Sequence, residues 1–348
     1  MGKQSRIVNR NLAKRLVGTA LLAAVILVGF VVWEIARTPS PPAFPPTPSP
    51  NGYDDFLKAS RLIAHLSLEL TNSNPELLRP LVQENQAALA LIRAGINREC
   101  RVPLQFTRDY LSTHMDEFGG FKAAARLLGA EGAVAEADGR LKDAVQAYLD
   151  AVRFGQASSR GGLVIDVMVG AAIQAVGVKK LHGLRERFSS AELRNAARIL
   201  NAIDHDGEPA DLLIQRERAY FRKVQGLWST TWLRLMSRLP WMRALNTEPI
   251  SESAILRGRA ALRLLIVELS LHNYKLDHGR FPSRLAALAP NYLNAVPTDP
   301  FTGSDFVYRQ DDSGYRLYSI GPDRTDDGGK PLGGRSKELV PQGDVILD

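Results

Sequence analysis

Eighteen consecutive residues without a charge, Leu16 to Trp33 (LVGTALLAAVILVGFVVW), leave this chain few ways to begin folding. As a helix rising 1.5 Å per residue, the run would be about 27 Å long, close to the thickness of a bilayer's hydrocarbon core. A cleaved secretory signal has a shorter apolar region, about 7 to 15 residues, followed by a small-x-small site. Here the flank reads EIARTPSPP, so residues 16–33 are expected to form a transmembrane helix. Lys3, Arg6, Arg10, Lys14 and Arg15 precede the run with no acid among them, and only Glu34 and Arg37 closely follow it. The positive-inside bias then puts a basic tail, 1–15, in the cytoplasm and the rest outside, with Trp33 at the outer headgroups. The expected localisation is the inner (cytoplasmic) membrane, single-pass, with periplasmic or extracytoplasmic C-terminal domains and the lipid bilayer as first partner.

The same tail explains the charge. Of the formal net +7, five charges lie in that tail, which leaves about +2 for everything after it and no electrostatic case for nucleic acid. With 45% hydrophobic and 23% charged residues the chain can bury a sizeable core. The single cysteine, Cys100, can make no internal disulfide and reads as a small buried residue. Residues 34–52 read as a Pro-rich linker: TPSPPAFPPTPSPNG holds seven prolines, a composition for extended polyproline II.

From 53 to 245 apolar residues recur at spacings of three and four. Phe56, Leu57, Ala59, Ser60, Leu62, Ile63 and Leu66 share one helical face, which predicts a domain of helical hairpins. Breaks are expected at Asn72 to Pro75, Pro103, Gly119-Gly120, Gly161-Gly162 and Glu208-Pro209. The stretch Ala133 to Phe154, with small residues Ala133, Ala137 and Gly139 and then Ala144, Tyr148 and Ala151, resembles one tetratricopeptide unit. Ile214 to Leu245 mixes Arg216, Arg218, Arg222, Lys223, Arg234, Arg238 and Arg243 with Trp228, Trp232 and Trp241. Such a mixture suits a membrane surface, and tryptophans four apart equally suit packing between helices.

Catalytic patterns are scarce. No His-Glu-x-x-His pair would hold zinc, no Gly-x-Ser-x-Gly surrounds Ser158, and Gly329-Lys330 lacks the spacing of a phosphate loop. Asp204-His205-Asp206 could orient an imidazole, but no activated nucleophile accompanies it.

Ser251 to Leu276 predicts a long helix capped by Ser251 or Ser253, followed by FVYRQ and GYRLYSIGP, a β-hairpin turned at Asp311 to Gly314. The run YKLDHGRFPSRLAALAPNYLNAVPTDPFTGSDFVYR, then GYRLYSIGPDRTDDGG and GDVI, resembles the C-terminal region of the type II secretion major pseudopilin. The resemblance implies a small α+β domain over 251–348 and a structural calcium ion in its acidic loop. The implied ligands are Ser319, Asp323, Asp326, Asp327 and Asp344, oxygen donors of the kind calcium takes. A pseudopilin is cleaved after a glycine and carries glutamate at the fifth mature position. Gly18 here is followed at that position by Ala23, which disfavours a fibre subunit. The layout as a whole also resembles anchored proteins of planctomycete-like bacteria. The expected fold is thus mainly α: an N-terminal transmembrane helix, a helical-hairpin domain, and a pseudopilin-like α+β domain. The expected function is a membrane-anchored extracytoplasmic scaffold with protein partners. A secretion-apparatus component and an enzyme assembled within the helical domain are the alternatives.

Overall fold

A computed structural model describes residues 18–19, 21, 25–26, 28–30, 32–33, 44–63, 74–226, 248–311, 314–333 and 341–347. The chain divides into two units, residues 43–217 with 247–348, and residues 1–42 with 218–246. The first unit holds the hydrophobic cores and the sheet. Its helices are α1 (Gly52–Ile63), α2 (Pro75–Glu84), α3 (Gln86–Ile96), α4 (Tyr110–Ala137), α5 (Leu141–Ser159), α6 (Val164–Leu184), α7 (Ser190–His205), the start of α8 (Ala210–Gln225) and α9 (Glu248–His278). A two-stranded antiparallel sheet follows, β1 (Val307–Asp311) and β2 (Gly314–Tyr318), in register from Val307 opposite Tyr318 to Asp311 opposite Gly314.

The expected membrane anchor is corrected by this structure. Among the described residues no helix is long and apolar enough to cross a membrane. A span needs about 20 apolar residues in one helix, and the long described helices are too charged. Even the most apolar of them, α6, carries Asp166, Lys179 and Lys180. Within 16–33, residues such as Val28 to Phe30 are described and helical, and the others lie outside the described residues. The transmembrane assignment, and the inner-membrane and periplasmic localisation built on it, are not supported. The stretch from Trp228 to Leu245, with its tryptophans, also lies outside the described residues.

Local chemistry accounts for most helix ends. Asn74 caps α2 by accepting from the Glu76 N–H, with Pro75 at the first helical position where its missing N–H costs nothing. Ser189 and Glu192 form a capping box at α7. Gly139, with φ of 73°, turns α4 into α5, so the two run antiparallel over the segment Ala133 to Phe154. The expected break at Gly119-Gly120 does not occur, because α4 runs through it. A Cβ on Gly120 would lie 2.5 Å from Cβ of Ser60, so this glycine serves the close approach of α1 instead. Helix α9 begins at Glu248, which leaves Ser253 inside the helix with its hydroxyl buried.

Packing is continuous from the first helix to the last strand. One core centres on Tyr53, Phe56, Phe121 and Phe154, whose rings meet edge to face, Phe56 and Phe154 at 4.8 Å between centroids. Each buried ring contributes about 2–3 kcal/mol by leaving water, and each edge contact adds about 1 kcal/mol. A second core joins Tyr148 on α5, Leu181 on α6 and Leu200 on α7. Leu265 on α9 belongs to it, as do Phe301, Phe306 and Val345 around the sheet. The C-terminal end of the Pro-rich stretch is clasped to this body. Asn51 exchanges two hydrogen bonds with the Arg101 backbone, Arg101 Nη1 donates to the Pro46 carbonyl at 2.7 Å, and Phe44 meets Phe106 edge-on.

Candidate functional site

Four groupings of polar side chains emerge from this packing. The most enclosed is built on His114, one turn into α4 and 2% exposed. Its Nε2 meets Asp166 Oδ1 at 2.6 Å and its Nδ1 meets Glu117 Oε2 at 2.9 Å. Tyr53 on α1 donates to the same Glu117 oxygen, and the ring stacks on Tyr110 at 4.9 Å. Burial opposes a charge on His114, but the bonds to Asp166 and Glu117 outweigh it and raise the imidazole to about 9. Asp166 is the third residue of α6 and accepts from the Leu163 N–H with its other oxygen. Nearby, Glu217 accepts from the Val164 N–H and is raised by burial, and Glu208 takes the Gly161 N–H and pairs with Arg216. The N-terminus of α6 is therefore satisfied by internal carboxylates. A buried imidazolium gripped on both sides is no free base, and what this centre does is pin α1, α4 and α6 together.

A second grouping joins α6, α9 and β2. His182 Nδ1 meets Glu268 Oε2 at 2.6 Å, and the Tyr315 hydroxyl lies 3.3 Å from His272 Nε2. Ser190 donates to Asn273 Oδ1. Burial, with Arg185 adding to it, lowers His272 to about 4 and keeps it neutral. Sequence reasoning missed both histidine centres, since their members are far apart in the chain and share no motif.

The acidic loop contains all five residues implied as calcium ligands. Asp344 returns beside the loop despite the long insertion before it. It is fully buried, with Oδ2 accepting from Gly329 N–H at 2.7 Å and Oδ1 from Asp327 N–H at 3.4 Å. Asp323 accepts from the N–H groups of Thr325 and Gly343. Asp326 accepts from the Tyr318 hydroxyl and the Gly328 N–H, which hold its carboxyl below the usual range. Ser319 points its hydroxyl at Asp299, which is 1% exposed and also receives the N–H groups of Phe301 and Ile320. In this arrangement the carboxylates accept from loop N–H groups and, at Asp326, from Tyr318 on β2 and Arg309 on β1. Among the described residues no three His, Cys, Asp or Glu side chains gather as a metal centre. Asp299, which is not among the implied ligands, is the residue that ties the loop to the body.

The fourth grouping opens to solvent. A cleft of about 80 Å³ lies between α5, α6, α7 and α9. Its walls carry Gln156, Ser159, Arg160, Gln174, Asp204, Glu208 and Arg259. Asp204 is bound by both Arg259 and Arg263, which takes it out of the Asp204-His205-Asp206 triplet as an orienting carboxylate, and His205 is exposed. The cleft offers amides and balanced ion pairs, a surface suited to hydrogen bonding and apolar contact. No family model, curated protein or solved structure matches the chain.

Proposed function

We propose that the chain is a protein-interaction scaffold of packed helical hairpins, carrying a pseudopilin-like segment on the same body. One observation supports this reading above others: the ionisable centres are buried and mutually satisfied, while the open cleft presents amide and paired ionic groups. Catalysis by general acid and base needs a titrating group within reach of a substrate. His114 is enclosed, and His272 is buried and neutral at pH 7. Binding needs only shape and donors.

Site-specific photo-crosslinking in the native cell tests the reading. A photoreactive residue replaces Gln174 in the cleft or, as a comparison, Leu276, which is exposed on α9. A protein adduct recurring at defined positions, whose purified partner then binds the purified chain saturably, is the expected result. Absence of any such adduct from a folded, expressed chain refutes the proposal.

A further inference from the structure

Resting on that reading, we infer that the cleft takes the main chain of an extended peptide and seats one small aliphatic side chain on its floor. A pair of glutamines carries the inference. Gln156 on α5 and Gln174 on α6 stand on the cleft wall, and Gln174 Nε2 donates to Gln156 Oε1 at 3.2 Å. Each primary amide has two N–H donors and a carbonyl acceptor. Their mutual bond leaves the Gln156 amide N–H groups and the Gln174 carbonyl without a protein partner among the described residues. Exchanging oxygen and nitrogen in both amides leaves the same complement, one donor group and one acceptor.

A peptide unit answers that complement, because its carbonyl and N–H lie in one rigid plane. Charged ligands match less well. Arg259 is held by Asp204, Glu208 by Arg216, and Arg160 faces Asp206 at 3.8 Å, so each charge on the walls already has an opposite partner to set against a phosphate or carboxylate. The floor is apolar, made by Val167, Ala171, Ile203, Leu213, Ile255 and Leu262. At about 80 Å³ the cleft is far smaller than the roughly 300–1,000 Å³ of sites for drug-sized ligands. It suits a small aliphatic side chain better than an aromatic ring or a cofactor.

The test titrates the full chain with N-acetyl-valine methylamide, followed by ligand-observed saturation-transfer NMR. The comparison ligands are N-acetyl-valine methyl ester, which lacks the C-terminal N–H, and N-acetyl-tyrosine methylamide, whose ring exceeds the floor. The protein comparison is Gln156→Met with Gln174→Met, which keeps the side-chain length and removes the hydrogen bonds. Saturable binding of the valine amide is expected, weakened about tenfold by the double substitution, as two lost hydrogen bonds imply. The ester and the tyrosine amide should bind at least as poorly to the unaltered chain, a comparison that does not depend on how the variant folds. No saturable binding of the valine amide at millimolar concentration, or equal affinity for amide and ester, overturns the inference. Should crosslinking identify a partner while the valine amide fails to bind, the scaffold reading survives and the main-chain inference alone falls.

Discussion

Substituting His114 by phenylalanine keeps an aromatic ring against Tyr53, Tyr110 and Phe118 while removing the cation that bridges Asp166 and Glu117. Breaking a buried ion pair from one side costs about 3–5 kcal/mol. Asp166 retains the Leu163 N–H and Glu117 the Tyr53 hydroxyl, so a loss near 3 kcal/mol is expected at pH 7. The pH dependence gives a sharper signature. His114 is raised from 6.5 to about 9 in the folded chain. A raised histidine contributes stability that is fully present below its unfolded value and is lost as pH rises through the folded one. At about 1.4 kcal/mol per pH unit, the ceiling of that contribution is about 3 kcal/mol. The groups facing His114 are Tyr53 from α1, Tyr110 and Glu117 from α4, and Asp166 from α6, with Glu217 near Asp166. Tyr53 is raised well above the alkaline range by burial and Glu117, so it does not titrate in this window. Urea unfolding followed by circular dichroism at pH 5, 7, 9 and 10.5 should show the native chain losing stability between pH 7 and 10.5. His114→Phe should be flatter over that interval. Parallel profiles for the two proteins from pH 6 to 10.5 would refute the assignment of a buried imidazolium.

Three further outcomes follow from the packing and the loop. Gly177→Ala places a methyl group against the Tyr148 carbonyl and Val152, where α5 and α6 touch, and should destabilise by about 1–3 kcal/mol in thermal unfolding although alanine favours helix. Asp299→Ala leaves the Phe301 and Ile320 N–H groups and the Ser319 hydroxyl without their acceptor, for a cost of about 3 kcal/mol. Amide exchange around Ser319 should then accelerate well before global unfolding. Calcium at millimolar concentration should leave the melting temperature of the full chain unchanged, and a rise of several degrees with measurable binding heat would show that the loop rearranges around the ion.

Residues whose meaning is local were the legible ones. Asn74 with Pro75 sets a helix start, Ser251 to Leu276 announces the helix that became α9, and Asp311 with Gly314 marks the hairpin turn. Gly119-Gly120 misled because a glycine pair that breaks a helix and one that admits a neighbouring helix look alike until Ser60 is in place. The anchor misled for a different reason: an uncharged run shows that a segment is apolar, not that it stands as a continuous span. His114 with Asp166, and His182 with Glu268, were illegible because each pair is assembled by helix packing across the chain. The acidic loop was visible as a cluster of aspartates. Which atoms they bind was not, since the Gly329 and Gly343 N–H groups that Asp344 and Asp323 accept are set by backbone geometry.

The core that unites Tyr148 with Val345 also sets an order of events during synthesis. Leu265 and its neighbours on α9 can pack against α6 and α7 as soon as they emerge, but that core stays unclosed until Phe306 and Val345 have been translated, whereas the aromatic group around Phe56 and Phe154 is complete much earlier. A nascent chain therefore holds one finished half beside an exposed apolar seam for the time the ribosome needs to reach the hairpin. That interval is when such a chain is most exposed to aggregation.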